Sequence, residues 1–382
     1  MRVLHVVKDF LPPTRGGMEQ HVSDLCRSLP GFEFSVLTSS RGRRRHVDAV
    51  GGVEVVRAPE YARLCSTPVT PGWWRDLRRH DADLVHLHLP NPFAEMAVLV
   101  GGGHTPMVAS YYAEMMRSPA LARRYGPVQE RFLGRMEHIV VSSPALAVRA
   151  TPLRAHRDRV VVIPFGVDPA EWPADDRAVA GIRARHPGPI VLFLGRLVWY
   201  KGVHVLIEAM TSVPATLLVV GDGPERTRLE ALVRHRRLGP RVRFVGEVSD
   251  WERASYQRAA DLFVLPSTSR AETFGIAMLE AMSVGTPVVS TEVGTGTSWV
   301  NRSGETGLVV PPRDPRALAG AITSLLGEDD RRRRLGLGAA RRARDHFPKA
   351  AMLAAFADLY RSMAPRSAPS GREQAVRPGA ER

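Results

Sequence analysis

The sequence predicts an α/β protein with two Rossmann-like domains that face each other across a cleft. Short apolar runs alternate with amphipathic stretches, the pattern of parallel strands joined by helical crossovers. A chain of 382 residues is longer than one ordinary hydrophobic core supports, so two domains are expected. The strand–helix rhythm also starts again near the middle of the chain, after a stretch rich in proline, alanine and charged residues.

The predicted strands fall into one set in each half of the chain. The first set comprises residues 3–7, 34–38, 83–89, 108–111, 139–142 and 160–164. The second set comprises residues 190–194, 216–220, 242–245, 262–265, 287–290 and 307–310. Most are continuous apolar runs, as expected for strands buried on both faces of a parallel sheet. Helices are predicted at residues 19–29, 203–211, 225–236, 250–259, 275–284, 315–326, 329–345 and 350–363.

These elements divide the chain into an N-terminal Rossmann-like domain, a linker and a C-terminal Rossmann-like domain. The respective ranges are residues 1–165, 166–188 and 189–345. A helix within residues 346–363 follows the second domain. Residues 364–382 are mostly proline, serine, glycine, arginine and glutamate, a composition that predicts a disordered tail.

The amino-acid composition limits where the protein can be located and which partners it can bind. No apolar run approaches the ~18 residues that a membrane span needs, and the first residues predict a strand rather than a signal peptide. Cys26 and Cys65 are the only cysteines, which excludes a disulfide framework and favours the reducing cytoplasm. The net charge of +14 reflects either arginine-rich codon usage or an electropositive face for anionic partners.

Arginines are interleaved with apolar residues in the stretch 115–135. This pattern fits either a basic amphipathic helix at an anionic membrane surface or a solvated helix face. A peripheral position at the inner membrane face is therefore one expectation. No nucleic-acid-binding motif accompanies the charge, so nucleic acid is not expected as a partner.

The most informative segment is the run ETFGIAMLE, from Glu272 to Glu280. It places one carboxylate in a loop, Gly275 at the start of an apolar helix, and a second carboxylate about one turn inside that helix. Backbone N–H groups at a helix start attract phosphate, and a nearby carboxylate can bind hydroxyl groups. The segment predicts a site for a phosphorylated sugar or a nucleotide.

Two further loops follow strands of the second half. Gly195 and Arg196 end one strand, and Lys201 begins the next helix. A guanidinium and an ammonium group on one loop would neutralise a diphosphate, although two ordinary surface cations are the alternative. Gly221 and Gly223 end the following strand and form either a ligand-binding turn or a plain strand-to-helix turn.

These loops are expected at one edge, because ligands of open parallel sheets bind beyond the carboxyl ends of the strands. The dinucleotide fingerprint G-x-G-x-x-G is absent from both halves, which argues against a nicotinamide dehydrogenase.

In the first half, Gly17 precedes a helix and either brings backbone N–H groups into the cleft or forms a flexible turn. His86 and His88 point to one side of a strand, and without an obvious third metal ligand we favour hydrogen-bonding roles.

Together these segments resemble glycosyltransferase family 4, whose members have the GT-B fold and transfer a sugar with retention. The resemblance covers most of the chain, from the run GGMEQHV at residues 16–22 to GLVVP at residues 307–311. Its specific motifs are FLGRLVWYKG at 193–202, VGDGP at 220–224, FVG at 244–246 and the paired glutamates at 272 and 280. The runs TEVGTGT at 291–297 and TGL at 306–308 resemble members that build capsule or O-antigen polysaccharides.

The resemblance implies that the N-terminal domain binds the acceptor and the C-terminal domain binds a nucleoside-diphosphate sugar. Arg196 and Lys201 would bind the diphosphate. Glu272 would contact hydroxyl groups of the transferred sugar, and Glu280 would bind the ribose. The family implies no metal or other cofactor, because protein cations and the helix dipole compensate the leaving group.

The remaining donor contacts implied by the resemblance are made by backbone groups. Phe274, Gly275 and Ile276 would present N–H groups to the phosphate and the sugar. Gly17 would lie near the diphosphate from the opposite domain. Gly195, Gly221 and Gly223 are assigned to the donor side by their motifs.

One position departs from the family pattern. Many members carry a histidine near the run VASYYAE at residues 108–114, and Tyr112 aligns with it, while Glu114 aligns with an acidic residue. Tyrosine donates a hydrogen bond but is a poor base near neutral pH. Tyr112 is thus a substitute catalytic donor, a sign of a different substrate, a sign of impaired activity, or a product of an alignment shifted by one residue. His86, His88 and Glu114 are assigned to the acceptor side.

The sequence therefore predicts a retaining glycosyltransferase. It would move a hexose from a donor of the GDP-mannose, UDP-glucose or UDP-GlcNAc type to a hydroxyl of a lipid-linked saccharide or a natural-product acceptor. One alternative is a GT-B nucleotide-sugar epimerase that does not transfer. The other is a catalytically impaired partner that only binds a nucleotide sugar.

Overall fold

Two α/β domains, each built on a mostly parallel sheet, confirm the predicted fold class. The computed structural model describes residues 1–14, 16–64, 67–101, 103, 105–114, 119–171 and 173–364. Cys65 and, apart from Ala364, the tail predicted to be disordered lie outside these described residues.

The first sheet contains eight strands in the N-terminal half of the chain. They are β1 (Arg2–Val6), β2 (Glu33–Ser39), β3 (His46–Val50), β4 (Val53–Ala58), β7 (Leu84–Leu89), β8 (Met107–Tyr111), β9 (His138–Val141) and β10 (Val160–Val162). Their order is β10-β9-β8-β7-β1-β2-β4-β3, and every neighbouring pair is parallel except β3–β4. Strands β5 (Ala62–Leu64) and β6 (Thr67–Val69) form a separate hairpin.

The sequence analysis missed the strands β3 to β6. β3 is a largely exposed edge strand, so it lacks the continuous apolar run on which the strand prediction relied. Gly51 and Gly52 join β3 to β4 with φ angles of 59° and 85°, a two-residue turn that glycine forms readily. This glycine pair was the available signal for the hairpin.

The second sheet contains six parallel strands, all of them predicted. They are β11 (Ile190–Leu194), β12 (Thr216–Val220), β13 (Val242–Gly246), β14 (Leu262–Leu265), β15 (Val288–Thr291) and β16 (Gly307–Val310). Their order is β13-β12-β11-β14-β15-β16. Because β11 and β14 are adjacent, the loops after residues 194 and 265 leave the sheet side by side.

Helices connect the strands of both sheets. They are α1 (Gly17–Ser28), α2 (Trp73–Arg79), α3 (Pro92–Gly101), α4 (Pro119–Leu133), α5 (Pro144–Arg149), α6 (Asp176–Arg185), α7 (Val203–Ala209), α8 (Arg226–His235), α9 (Asp250–Ala259), α10 (Ile276–Ser283), α11 (Thr297–Val300), α12 (Pro315–Gly327), α13 (Asp329–His346) and α14 (Lys349–Ser362). Helix α6, which the sequence analysis did not predict, lies within the range 166–188 assigned to the interdomain linker. Asp175 caps α6, and Ile182 is buried in the core of the second domain.

The chain crosses between the domains twice. After the second sheet, α14 returns to the first domain, where Phe356 and Tyr360 pack against Val3 and Leu84. The final helix thus completes the core of the first domain, a contact that its amphipathic pattern alone could not specify. The stretch 163–168 makes the first crossing and the stretch 346–349 makes the second.

Helix α4 carries most of the basic stretch for which a membrane contact was considered. Phe132 and Leu133 are fully buried in the first domain, whereas Arg123 and Arg124 are exposed. These two apolar side chains therefore belong to the core, and the exposed arginines fit either a solvated face or a membrane contact; Met115 and Met116, which were part of that expectation, lie outside the described residues. None of the described helices has both the length and the apolarity needed to cross a bilayer.

Among the described residues of the first domain, four histidines are buried, namely His5, His21, His86 and His88. Desolvation lowers the pKa of His5 and of His21 to about 3, and lowers the pKa of His86 and of His88 well below the usual 6.5. The unfolded chain therefore binds protons at these positions below pH ~6.5 while the folded chain does not. Stability should fall as the pH drops through this window.

We expect the free energy of unfolding to decrease below pH ~6.5 by up to about 1.4 kcal/mol per pH unit for each buried histidine. Urea unfolding at several pH values between 7 and ~4.5 measures this slope. The variant His21→Gln should show a shallower slope, and the exposed His235→Gln control should keep that of the parent. Equal slopes for all three proteins would contradict this assignment.

Candidate active site

The two domains approach each other at the start of one helix from each. Gly17 opens α1 in the first domain, and Ile276 opens α10 in the second. A Cβ atom on Gly17 would lie only 2.8 Å from Cδ1 of Ile276. The missing side chain therefore lets the turn before α1 reach the helix start where the sequence predicts an anion.

Helix α10 begins in a conformation that requires glycine. Gly275 has a φ of 86°, and a Cβ there would lie 2.8 Å from Cδ2 of Leu265. No side chain of the described residues caps the first N–H groups of α10. These donors and the positive end of the helix dipole are therefore available to an anionic ligand, as predicted for residues 274–276.

Lys201 and Glu272 form a buried ion pair at the carboxyl ends of the adjacent strands β11 and β14. Nζ of Lys201 lies 2.6 Å from Oε2 of Glu272, and the two side chains are 14% and 9% exposed. Ser267 donates a hydrogen bond of 3.2 Å to the same carboxylate oxygen. Desolvation is the largest single effect and lowers the pKa of Lys201, but the attraction and hydrogen bond of Glu272, together with smaller contributions from Tyr200 and Glu280, raise the pKa overall.

Arg196 differs from Lys201 because its side chain is exposed and no described residue forms an ion pair with it. Its charge acts across the cleft on two groups of the first domain, Lys8 and Glu19. Desolvation is the main cause that lowers the pKa of Lys8, with a smaller contribution from Arg196. Desolvation likewise raises the pKa of Glu19. Arg196 is thus a free cation facing the opposite wall.

The sequence analysis did not single out Lys8 or Glu19 as site residues. Lys8 is one of three lysines in the chain and lies just beyond β1, and Glu19 lies in the first turn of α1. Glu19 folds back over the turn before α1, because a Cβ on Gly16 would lie 2.5 Å from its Oε2. The rarity of lysine and the position beyond a strand were the usable signals.

Gly195, Gly221 and Gly223 bring the loops after β11 and β12 into backbone contact. A Cβ on Gly221 would lie 2.3 Å from the carbonyl oxygen of Gly195, and one on Gly223 would lie 2.4 Å from that of Leu197. The N–H of Leu197 donates a hydrogen bond of 2.8 Å to Asp222. These glycines therefore set the path of the loop that carries Arg196.

Glu280 lies on α10, where its Oε2 accepts hydrogen bonds from Arg253 at 2.6 Å and from Gln257 at 3.2 Å. The negative charge of Glu280 is the main cause that raises the pKa of Arg253. A small cavity opens beside this carboxylate, between α9, α10 and residues 167–169, where the first crossing ends. Arg253 and Gln257 are partners that the sequence motif did not reveal.

Tyr112 is held by a chain of buried histidines. Its hydroxyl lies 2.7 Å from Nδ1 of His88, whose Nε2 lies 2.9 Å from Nδ1 of His5. His86 instead contacts the hydroxyls of Tyr360 at 2.7 Å and Ser110 at 2.8 Å. The predicted hydrogen-bonding roles are therefore present.

The burial of these histidines corrects the expectation that they contact an acceptor. His86 and His88 are 0% and 1% exposed, so they support the wall of the cleft from behind. His5, on the neighbouring strand, supplies the third potential metal ligand that the sequence analysis had not found. Every ring nitrogen of the three has a hydrogen-bond partner except Nε2 of His5, which favours a hydrogen-bonded network over a metal site.

Glu114 lies in a second small crevice between the domains. Its Oε1 accepts a hydrogen bond of 2.9 Å from the N–H of Thr151, and its Oε2 lies 3.9 Å from Arg270 of the second domain. Arg149 and Thr295 also line this crevice, and Thr295 donates a hydrogen bond of 2.6 Å to the carbonyl of Glu272. Glu114 therefore lies at the domain interface next to the loop that carries Glu272.

The fold and this cleft define a glycosyltransferase of the GT-B class. The family model for glycosyltransferase family 4 matches residues 15–171, and the model for glycosyl transferases group 1 matches residues 176–342. The chain belongs to this family, as the resemblance of its motifs had indicated.

Characterised relatives extend over nearly the whole chain. The D-rhamnosyltransferase WbpZ of Pseudomonas aeruginosa is 35% identical over 353 residues, 91% of this chain and 92% of the relative. The O-antigen chain mannosyltransferase C of Escherichia coli is 31% identical over 367 residues, 95% of this chain and 99% of the relative. A solved sucrose-phosphate synthase from Thermosynechococcus elongatus has a TM-score of 0.82 at 25% identity, with 95% of this chain and 98% of that chain covered.

The backbone contact between the two glycine loops is testable. In Gly221→Ala the new Cβ would clash with a carbonyl at a φ of 122°, so the loop that carries Arg196 must shift. We expect a loss of thermal stability and a weaker affinity for nucleoside diphosphates, measured by calorimetry. Gly239→Ala is the matched control, because nothing lies within 4 Å of its Cβ. Equal nucleotide affinity in both variants would refute the structural role of Gly221.

Proposed function

We propose that this chain transfers a hexose, with retention of the anomeric configuration, from a nucleoside-diphosphate sugar to a hydroxyl of a lipid-linked saccharide. A GDP-mannose-type donor is favoured over a UDP-glucose type, because several relatives are named as mannosyltransferases, one of them as GDP-mannose-dependent. The names of the relatives also favour a polysaccharide or lipid acceptor over a natural-product core. The donor and the acceptor are both open to direct test.

The observation that carries the proposal is the buried pair of Lys201 and Glu272 beside the free start of α10. A buried ion pair is costly to form, so it is weak support for stability alone. Each partner has a use when a donor binds. Lys201 can turn to the diphosphate and Glu272 to a sugar hydroxyl, so that neither charge stays buried without a partner.

In the proposed mechanism the bond between the anomeric carbon and the phosphate oxygen breaks first, and positive charge develops on the sugar. Arg196, the N–H groups at the start of α10 and Lys201, once it has turned from Glu272, stabilise the departing nucleoside diphosphate, because fixed donors and charges near the leaving group lower the barrier. The acceptor hydroxyl attacks from the face that the leaving group vacates. Its proton passes to the leaving phosphate oxygen, so no side-chain base is needed.

Tyr112 does not fit the role of a catalytic base in this mechanism. Its hydroxyl is engaged by His88, and burial raises the pKa of Tyr112 above its usual value of 10. A tyrosine in this state contributes its ring and its backbone to the wall of the cleft. Its presence is therefore compatible with transfer, because the leaving phosphate accepts the proton.

Removing either member of the central pair should nearly abolish transfer. We expect Lys201→Met and Glu272→Gln each to lower kcat/KM by about 10²–10³-fold, since each loses a group that stabilises the transition state. The measurement is release of the nucleoside diphosphate in the presence of acceptor. Arg183→Met is the control, because its pair with Asp261 at 2.7 Å is an ion pair of similar length, though more exposed, at the opposite, amino end of β14. Near-parental rates in either cleft variant would exclude the assigned roles.

The donor is identified by a thermal-shift panel of GDP-, UDP-, dTDP- and ADP-sugars. A donor at 100 times its dissociation constant stabilises the folded state by about 2.7 kcal/mol, which gives a clear shift. We expect GDP-mannose or a related GDP-sugar to give the largest shift. A larger shift with a UDP-sugar would overturn the donor assignment.

Product analysis with and without an acceptor separates transfer from the two alternatives. An epimerase would convert the donor without an acceptor, and a binding partner would consume no donor. A glycosylated acceptor and one equivalent of nucleoside diphosphate would support the proposal. The anomeric configuration of that product tests retention.

A further inference from the structure

Phe165 occupies the first of the two crossings between the domains. On one side, the N–H of Ile163 donates a hydrogen bond of 2.9 Å to Val141 of the first sheet. On the other side, the N–H of Val167 donates one of 2.9 Å to Phe347 of the second crossing. Residues 164–166 are thus the short stretch between two fixed points, where a change in the angle between the domains must be accommodated.

The two crossings touch each other directly beside this stretch. A Cβ on Gly166 would lie 2.6 Å from Cα of Lys349, so only a glycine fits there. Nζ of Lys349 lies 3.0 Å from Asp24 on α1 and 2.6 Å from Glu171 in the turn after the first crossing. These contacts make the two crossings one structural unit, which we call the hinge (residues 163–171 and 346–349).

The ring of Phe165 projects from the hinge and packs against aromatic side chains of both domains. It contacts two rings of the first domain, those of His21 at 4.9 Å edge-on and Tyr112 at 5.8 Å stacked. It contacts the ring of Phe274 in the second domain at 5.2 Å, edge-on. Phe165 is 8% exposed, so one side chain joins the hinge to both walls.

Phe274 connects this ring to the site. It lies two residues after Glu272 and directly before Gly275, the N-cap residue of α10. Its ring also contacts Trp299 at 6.3 Å and Phe347 of the second crossing at 5.8 Å. Aromatic side chains of both crossings therefore pack against the short loop that positions Glu272 and the N–H groups at the start of α10.

We infer that Phe165 is a positioning residue, which sets the loop of Glu272 against the wall of the first domain when the cleft is closed. The inference rests on the proposed role of Glu272 as a contact of the transferred sugar. Without the ring, the loop after β11 that carries Arg196 and Lys201 keeps its place in the second domain, while the loop of residues 272–276 loses its support. The acceptor wall is then no longer held at a fixed distance from the sugar.

The alternative is that Phe165 contributes only to core packing. Phe263 serves to distinguish a positioning role from a space-filling role, because it is 0% exposed and belongs to the same apolar cluster as Phe165. Phe263 lies on β14, and among the described residues it has no ring contact with the first domain. Truncating either ring should cost packing, but only Phe165 should affect the alignment of the two walls.

The first test compares Phe165→Leu with Phe263→Leu in donor affinity, turnover and product partition. For Phe165→Leu we expect a smaller loss in affinity for the nucleoside diphosphate, because Arg196 and Lys201 stay in place, than the loss in kcat for transfer, which should reach up to about 10²-fold, the cost of a small misplacement of reactants. We also expect a larger fraction of the consumed donor to appear as free sugar, because water replaces the misplaced acceptor. Phe263→Leu should lower Tm and keep the partition between transfer and hydrolysis.

A second test does not depend on catalysis. Hydrogen–deuterium exchange of the free protein should rise in Phe165→Leu at two segments distant in sequence, residues 110–114 and 272–278. In Phe263→Leu the rise should be confined to the second domain. The inference is overturned if Phe165→Leu behaves as Phe263→Leu in both tests, with one domain loosened and the product partition unchanged. If the parent protein transfers no sugar, the proposed function is wrong. The exchange result still shows whether Phe165 couples the two walls of the cleft.

Discussion

The contact between Lys201 and Glu272 is the interaction on which the site depends. The two charges lie on loops that leave adjacent strands of the second sheet, and they are largely removed from water. Taking one charge out of water without the other would be costly, so the two loops must be placed together. Their placement in turn fixes the start of α10, whose unoccupied N–H groups complete a surface suited to a pyrophosphate.

The second constraint is the double crossing between the domains. Because α14 returns to complete the core of the first domain, that core closes only after the chain has passed through the second domain. The crossings meet at Gly166 and Lys349, and the ring of Phe165 extends from this point to Tyr112 and Phe274. The angle between the domains and the position of the site are thus set by one local arrangement.

Much of the fold could be predicted, because doubly buried parallel strands are continuous apolar runs. All six strands of the second sheet were found for this reason. The edge strand β3 was missed, since an exposed strand has no such run, and α6 was taken for linker because its short apolar face is broken by charge. In the site, motif spacing identified Glu272 and Lys201, but nothing in the spacing indicated that the two pair with each other.

The sequence by itself determined the fold class, the family and the set of polar residues beyond the strand ends, because periodicity and motif spacing are local properties. Only the tertiary structure decided the partners of those residues. His88 was expected to face an acceptor, yet it is buried behind Tyr112 and bonded to its hydroxyl. Glu280 pairs with Arg253 from another helix, and α14 packs on a domain that ended almost 200 residues earlier along the chain. Such contacts form between segments that are distant in sequence and pack in one core, so no short stretch of sequence predicts them.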